Sequence, residues 1–350
     1  MLARFFSAWE RRLFSRTDDR VVRPFDWGLD WMDANGRGPA TPPDVALADW
    51  ARTSLADSPR FFDAPPTDEY SWEVESTGDQ TCAGTVRFPS AITTPHADNN
   101  TVYARLFPAP RLEGGRDDRR RAVVVLPQWN GDADAHVGLC RLLARFGLNA
   151  LRLSLPYHDR RMPPMLHRAD FIVSANVGRT VQVCRQAVVD ARRAVAWLAR
   201  EGYERIGILG TSLGSCLAML TTAHEPLIRA EALNHISRYF ADVVWEGLST
   251  EHVRAGLEGH ITLDRLRELW MPISPQAYVS RVRHAKTLLV YARYDTSFPV
   301  HLSRALVEEF DRLDVPYQLA LLPCGHYTTG LAPFKYLDGY TLTKFLLRNL

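Results

Sequence analysis

From about residue 82 onward, short apolar runs alternate with longer segments whose apolar residues recur every three or four positions. The runs Cys82–Phe88, Thr101–Phe107, Ala122–Leu126, Ala150–Leu155, Ile206–Leu209, Ala230–Leu233, Leu288–Tyr291 and Gln318–Leu322 read as strands. Between them Ala135–Phe146, Asn176–Arg200, Ser212–Ala223 and Val300–Leu313 carry a helical pattern, as does the closing segment Leu331–Leu350. Apolar strands joined through amphipathic helices predict an α/β fold with a mostly parallel sheet covered on both faces. Two antiparallel strands ahead of the alternation bring that sheet to about eight strands. Residues 236–285 interrupt the pattern with mostly helical periodicity and read as a cap inserted between two strands.

The first eighty residues follow different rules and read as an N-terminal extension to a main domain over 81–350. Leu2, Phe5, Phe6, Trp9 and Leu13 fall on one helical face with arginines opposite. Arg4, Glu10, Arg11 and Arg12 interrupt any apolar core of a secretory signal, and no small-residue cleavage site follows. Such a helix either docks on its own domain or a second subunit, which is the expectation here, or lies on a membrane surface through residues 1–16. Residues 17–80 are rich in Pro, Asp and Trp, with a helical stretch near Val45–Ser54, and predict an irregular wrap over the main domain. The run Arg116–Arg121, after Gly114 and Gly115, predicts a solvated loop.

Composition narrows the function. Forty-two basic and 40 acidic side chains leave a net charge of +2, too balanced for a dedicated nucleic-acid binder. With 46% hydrophobic residues and 9 Trp the chain can build a sizeable core, and no apolar run is long enough to cross a bilayer. Five scattered cysteines without paired spacing argue against a disulfide framework or a zinc site. The expectation is a cytoplasmic globular enzyme without metal or organic cofactor.

The chemistry concentrates at Gly210-Thr211-Ser212-Leu213-Gly214. A predicted strand runs into Gly-x-Ser-x-Gly and a predicted helix follows, the setting in which a serine is forced into a sharp turn that only glycines two positions away tolerate. Such a turn lifts the hydroxyl above the sheet edge and sets a helix N-terminus beneath the charge formed on attack. A serine hydroxyl needs a base, and the base an orienting acid. In this architecture they follow in the order acid, then His. Asp295 comes just after the strand Leu288–Tyr291, and His326 just after Gln318–Leu322, both at the edge where open α/β sheets bind ligands. The Leu213 N–H and an N–H of the loop after Ala122–Leu126 are the expected oxyanion donors, Trp129 first and Gln128 as the alternative. Loops at the same edge assign Gln128, Tyr157, His158, His235 and Tyr239 to the substrate pocket. Trp245 and Trp270 either close the pocket or pack in the core. Cys216, one helical turn past the serine, is expected to be packed rather than reactive.

Over residues 82–350 these features resemble the α/β-hydrolase superfamily, through GTSLG, Asp295 and His326 in order, and the LPQWN loop. LRLSLPYHDRRMP and WLAREGYERIGILGTSLG are similar to a little-studied branch whose eukaryotic members are predicted lipases or esterases. The chain also resembles dienelactone hydrolases in a general way, but those carry Cys where this chain has Ser212. At the oxyanion loop PQWN stands in place of the frequent His-Gly. The resemblance implies a serine hydrolase that cleaves a small-molecule or lipid carboxylic ester through an acyl-enzyme. The same triad would serve an amidase or peptidase, and a non-catalytic binding protein of this fold would usually have lost one of its members.

Overall fold

The computed structural model describes residues 2–32, 41–74, 82–110 and 120–350. Nine strands form one sheet: β1 (Ser71–Glu73), β2 (Gly84–Pro89), β3 (Thr101–Phe107), β4 (Arg121–Leu126), β5 (Asn149–Leu153), β6 (Arg205–Thr211), β7 (Ile228–Asn234), β8 (Lys286–Ala292) and β9 (Tyr317–Leu322), in the order β1-β2-β3-β5-β4-β6-β7-β8-β9. β1, β2, β3 and β5 pair antiparallel, and every pairing from β5 through β4 to β9 is parallel. The sheet is mostly parallel, as the alternation of elements requires. The ninth strand is β1, three residues from the segment expected to be irregular, held by its register against β2.

The helices are α1 (Leu2–Phe14), α2 (Pro43–Ala56), α3 (Ser58–Phe61), α4 (Val137–Arg145), α5 (Val177–Arg200), α6 (Leu213–His224), α7 (Phe240–Glu246), α8 (Glu251–Leu257), α9 (Leu263–Leu269), α10 (Val300–Arg312) and α11 (Phe334–Asn349). Alternate side chains of the central strands point to opposite faces. Ala122, Val124 and Leu126 of β4 join the core that α5, α6 and α10 cover, whereas Val123 and Val125 join the core under α4, α11 and Phe6 of α1. α7, α8 and α9 all lie between β7 and β8, the region expected to form a cap. Trp270 there is fully buried, its indole N–H donating to the Val177 carbonyl at 3.1 Å, so it is a packing residue. All five cysteines are buried, and no two of them form a disulfide. Among the described residues no helix is long and apolar enough to cross a membrane. Residues 116–119 of the charged run lie outside the described residues; Arg120 sits over the Tyr203 ring and Arg121 opens β4.

A buried polar network braces the loops that leave β4 and β5 at their carboxyl ends. Arg161 is wholly buried; it donates to the carbonyls of Asn99 and Ser154 and pairs with the equally buried Asp190 of α5 at 2.8 Å. Asn99 accepts the Tyr157 N–H and donates to Gln186 of α5. Burial holds the next residue, His158, neutral, with a pKa pulled down to about 4. Its Nδ1–H donates to the Pro156 carbonyl and its Nε2 accepts the Asn130 N–H at 3.0 Å, which ties the loop after β5 to the loop after β4.

A guanidinium, unlike a carboxylic acid, cannot shed its charge when its partner is removed. Asp190→Ala is therefore expected to cost about 3–5 kcal/mol, the range for breaking a buried ion pair from one side. The midpoint and slope of a urea unfolding curve would measure it.

Candidate active site

β6 delivers Ser212 into the sharp turn its sequence demands. The residue has φ 57° and ψ −121°, with its N–H held by the Asn234 carbonyl at 2.8 Å. The flanking glycines are steric necessities: a Cβ on Gly210 would stand 2.0 Å from the Gly214 carbonyl oxygen, and one on Gly214 would stand 2.3 Å from that of Leu126. The turn thus presses against the end of β4, and α6 begins at Leu213 directly beyond the serine. At a helix start the N–H groups have no partner within the helix.

Two further loops meet the serine. His326 Nε2 lies 3.1 Å from Ser212 Oγ, and its Nδ1 lies 3.0 Å from Asp295 Oδ2. The Asp295 carboxylate is buried and accepts four donors: the N–H groups of Ser297 (2.9 Å) and Phe298 (2.7 Å) on Oδ1, and the two imidazoles of His235 (2.8 Å) and His326 on Oδ2. Burial alone would raise its pKa, but the two histidines and their hydrogen bonds outweigh that and hold it well below the usual carboxylate range. For His326 burial opposes the charged form, yet the Asp295 charge and hydrogen bond prevail and its pKa rises above the ordinary histidine value. The Phe298 ring lies parallel to the imidazole of His326 with centroids 5.3 Å apart, fixing the plane of the ring.

His235 differs. Burial lowers its pKa and outweighs the Asp295 contribution, so it stays neutral while donating from Nδ1; its Nε2 is buried without a partner among the described residues. Ligand atoms of His235, Asp295 and His326 lie within 4.8 Å of one another, close enough to hold a metal ion. The donor set speaks against that use, because both Nδ1 atoms are engaged with one carboxylate oxygen and His326 Nε2 with the serine.

The cavity beside Ser212 is apolar, walled by Trp129, Leu213, Cys216, Phe240, Val243 and Phe298. Burial pushes the Cys216 thiol up, and its Sγ lies 3.3 Å from the Ile273 carbonyl, so this cysteine is packed. Of the first amides in the loop after β4, Asn130 donates to His158 and Gly131 to the Gln128 carbonyl, and those of Gln128 and Trp129 come first after the strand end.

The residues expected to form a substrate pocket lie apart from this cavity. None of Gln128, Tyr157, His158, His235 and Tyr239 is among the residues that wall this cavity. Tyr157 is fully buried with φ 63°, and its hydroxyl meets His96 at 3.0 Å. His158 braces the neighbouring loop, His235 turns inward onto Asp295, and Tyr239 faces the guanidinium groups of Arg238 and Arg267. Gln128 supplies the carbonyl that closes its own turn. The wall of this cavity comes largely from the helices between β7 and β8 and from Phe298, where apolar residues at helical spacing carry no chemical signature. Trp245 and Trp270 do not line it.

No family model matches the sequence, and a comparison with curated proteins finds no match. Solved structures do match in fold. An acetyl xylan esterase from a Thermoanaerobacterium species is 13% identical, with a TM-score of 0.61 over 93% of this chain and 99% of its own. An acetyl xylan esterase from a Paenibacillus species is 15% identical, with a TM-score of 0.61 over 92% of this chain and 98% of its own. The acylaminoacyl peptidase of Pyrococcus horikoshii is 15% identical, with a TM-score of 0.58 over 80% of this chain; the chain spans only 42% of that protein. The chain has the α/β-hydrolase fold.

Gly214→Ala would press a methyl group onto the carbonyls of Leu126 and Pro127, both backbone atoms that can yield only if β4 shifts. The variant is expected to lose about 1–3 kcal/mol, the usual cost of overpacking, read from its denaturation midpoint.

Proposed function

We propose that the chain is a serine hydrolase that cleaves a small-molecule carboxylic ester through an acyl-enzyme, with Ser212 as nucleophile, His326 as general base and Asp295 as its orienting acid. The observation that carries this reading is the unbroken hydrogen-bonded relay from Ser212 Oγ to His326 Nε2 (3.1 Å) and from His326 Nδ1 to Asp295 Oδ2 (3.0 Å). The imidazole tautomer that donates from Nδ1 leaves Nε2 free to take the serine proton as Oγ attacks the ester carbonyl. Asp295, held ionised, stabilises the imidazolium that forms. The oxyanion is received by the backbone N–H groups of Leu213 and Trp129, each worth about 3–4 kcal/mol of transition-state stabilisation. The imidazolium then protonates the departing alcohol, and a water activated by the same His326 releases the acid. No step calls on a metal or organic cofactor.

In this reading residues 81–350 form the hydrolase unit, the segment 236–285 caps the apolar cavity, and residues 1–80 are an extension. The N-terminal helix is docked on its own domain through Phe6 and Glu10, and the setting proposed for the enzyme is the cytoplasm. A peptide or amide substrate on the same relay is the second reading, supported by the acylaminoacyl peptidase among the structural neighbours. The neighbours whose length matches this chain are esterases, which favours the first.

A fluorophosphonate probe is expected to label the protein at Ser212, and Ser212→Ala is expected to abolish labelling and lower p-nitrophenyl ester turnover by about 10⁶-fold. Persistent labelling of that variant would remove Ser212 from the mechanism, and peptide turnover exceeding ester turnover would favour the second reading. The pH dependence has a definite sign. The reactive imidazole is neutral, so kcat/KM should fall as pH drops through the His326 pKa, and the acid limb should lie above about 6.5, the ordinary histidine value.

A further inference from the structure

Resting on the reading of Ser212, His326 and Asp295 just given, we propose that Glu10 is a positioning residue for this site, reaching in from the N-terminal helix to hold the turn that carries His326. Glu10 is fully buried although its neighbours Arg11 and Arg12 on the same helix are exposed. Its Oε2 accepts the Tyr327 N–H at 2.8 Å and its Oε1 the Thr328 N–H at 2.9 Å, so both oxygens are spent on the two residues that follow His326. The contact is as close as the chain permits: a Cβ on Gly325 would stand 2.5 Å from the Glu10 carboxyl carbon, and glycine at that position makes the approach feasible.

The same helix holds the acid's loop. The Phe6 ring stacks on Tyr294, the residue before Asp295, with centroids 4.4 Å apart and planes 6° from parallel. The two loops are themselves joined by the Tyr294 N–H donating to the Cys324 carbonyl at 2.9 Å. α1 therefore clamps both the base and its orienting acid from behind, at a distance of 317 residues along the chain for the Glu10–Tyr327 bond. Charge-assisted hydrogen bonds to backbone N–H groups are stronger than neutral ones and fix direction as well as distance. A general base must lie within hydrogen-bond reach of its nucleophile, and small misplacements are costly in rate.

The groups facing the His326 imidazole are Asp295 and Ser212, which it bonds, His235 at a ring separation of 4.7 Å, and Tyr327 at 6.1 Å. Glu10 adds a second negative charge that favours the imidazolium, smaller in effect than that of Asp295. Positioning and charge can thus be separated by experiment in the full-length protein.

Glu10→Ala is expected to lower kcat by about 10²-fold while KM changes by less than about two-fold, because the cavity wall is untouched. Glu10→Gln keeps the shape but can satisfy only one of the two amides, and should lose about 10-fold. Both should move the acid limb of the pH profile to lower pH, whereas Arg12→Ala, an exposed substitution on the same helix, should leave rate and profile unchanged. Amide hydrogen exchange at Tyr327 and Thr328 should be slow in the wild type and faster in Glu10→Gln, a readout that stands even if Glu10→Ala does not fold. Wild-type kcat and an unmoved acid limb in folded Glu10→Gln, with Ser212→Ala inactive, would overturn the proposal. An unlabelled and inactive wild type would instead overturn the reading of the site, and the exchange rates would then decide on their own whether Glu10 holds the turn.

Discussion

The arrangement around Ser212 depends on one buried carboxylate. Asp295 brings an unscreened negative charge into the interior, where an isolated ion would be neutralised by a shift in its pKa. Four donors prevent that: two amides from its own turn and two imidazoles from different loops. Each donor fixes a direction, so the carboxylate is at once the charge that favours the His326 imidazolium and the point from which two loops are surveyed. Its neighbour His235 stays neutral and gives Asp295 a second anchor without a competing charge.

Much of this was legible in the sequence, and the physical reason is that both the fold and the turn at Ser212 are locally encoded. Alternating strands and helices state their periodicity within a dozen residues, and Gly210-Thr211-Ser212-Leu213-Gly214 announces its own backbone strain, since a Cβ at either glycine would meet backbone oxygen. Chain order after that turn then singles out Asp295 and His326, which the structure brings into one hydrogen-bonded line with the serine.

What was not legible is side-chain direction. A residue assigned to the correct sheet edge can still point away from the cavity, and His158, Tyr157 and His235 do so for definable reasons. Tyr157 takes a left-handed backbone, His158 is spent on Asn130, and His235 is drawn onto a carboxylate contributed from another loop. Edge strand β1 was hidden for a related reason: three residues carry no periodicity of their own, and only pairing with β2 makes them a strand.

The N-terminal helix shows the two limits together. Its apolar face, read from spacing alone, suits a membrane surface or a protein surface equally, and Leu2 and Phe5 remain exposed at 63% and 59%. The residue that ties the helix to its own domain is polar. A glutamate within an apolar-faced helix looks like an interruption of the pattern, yet a buried carboxylate with both oxygens satisfied by backbone amides is far more specific than an apolar contact, because it tolerates neither sliding nor rotation. Glu10 therefore fixes where α1 sits, Phe6 supplies the packing that accompanies it, and the long stretch of chain between α1 and the His326 turn becomes irrelevant to how firmly the two are joined. An extension anchored in that way belongs to the architecture of the site it reaches.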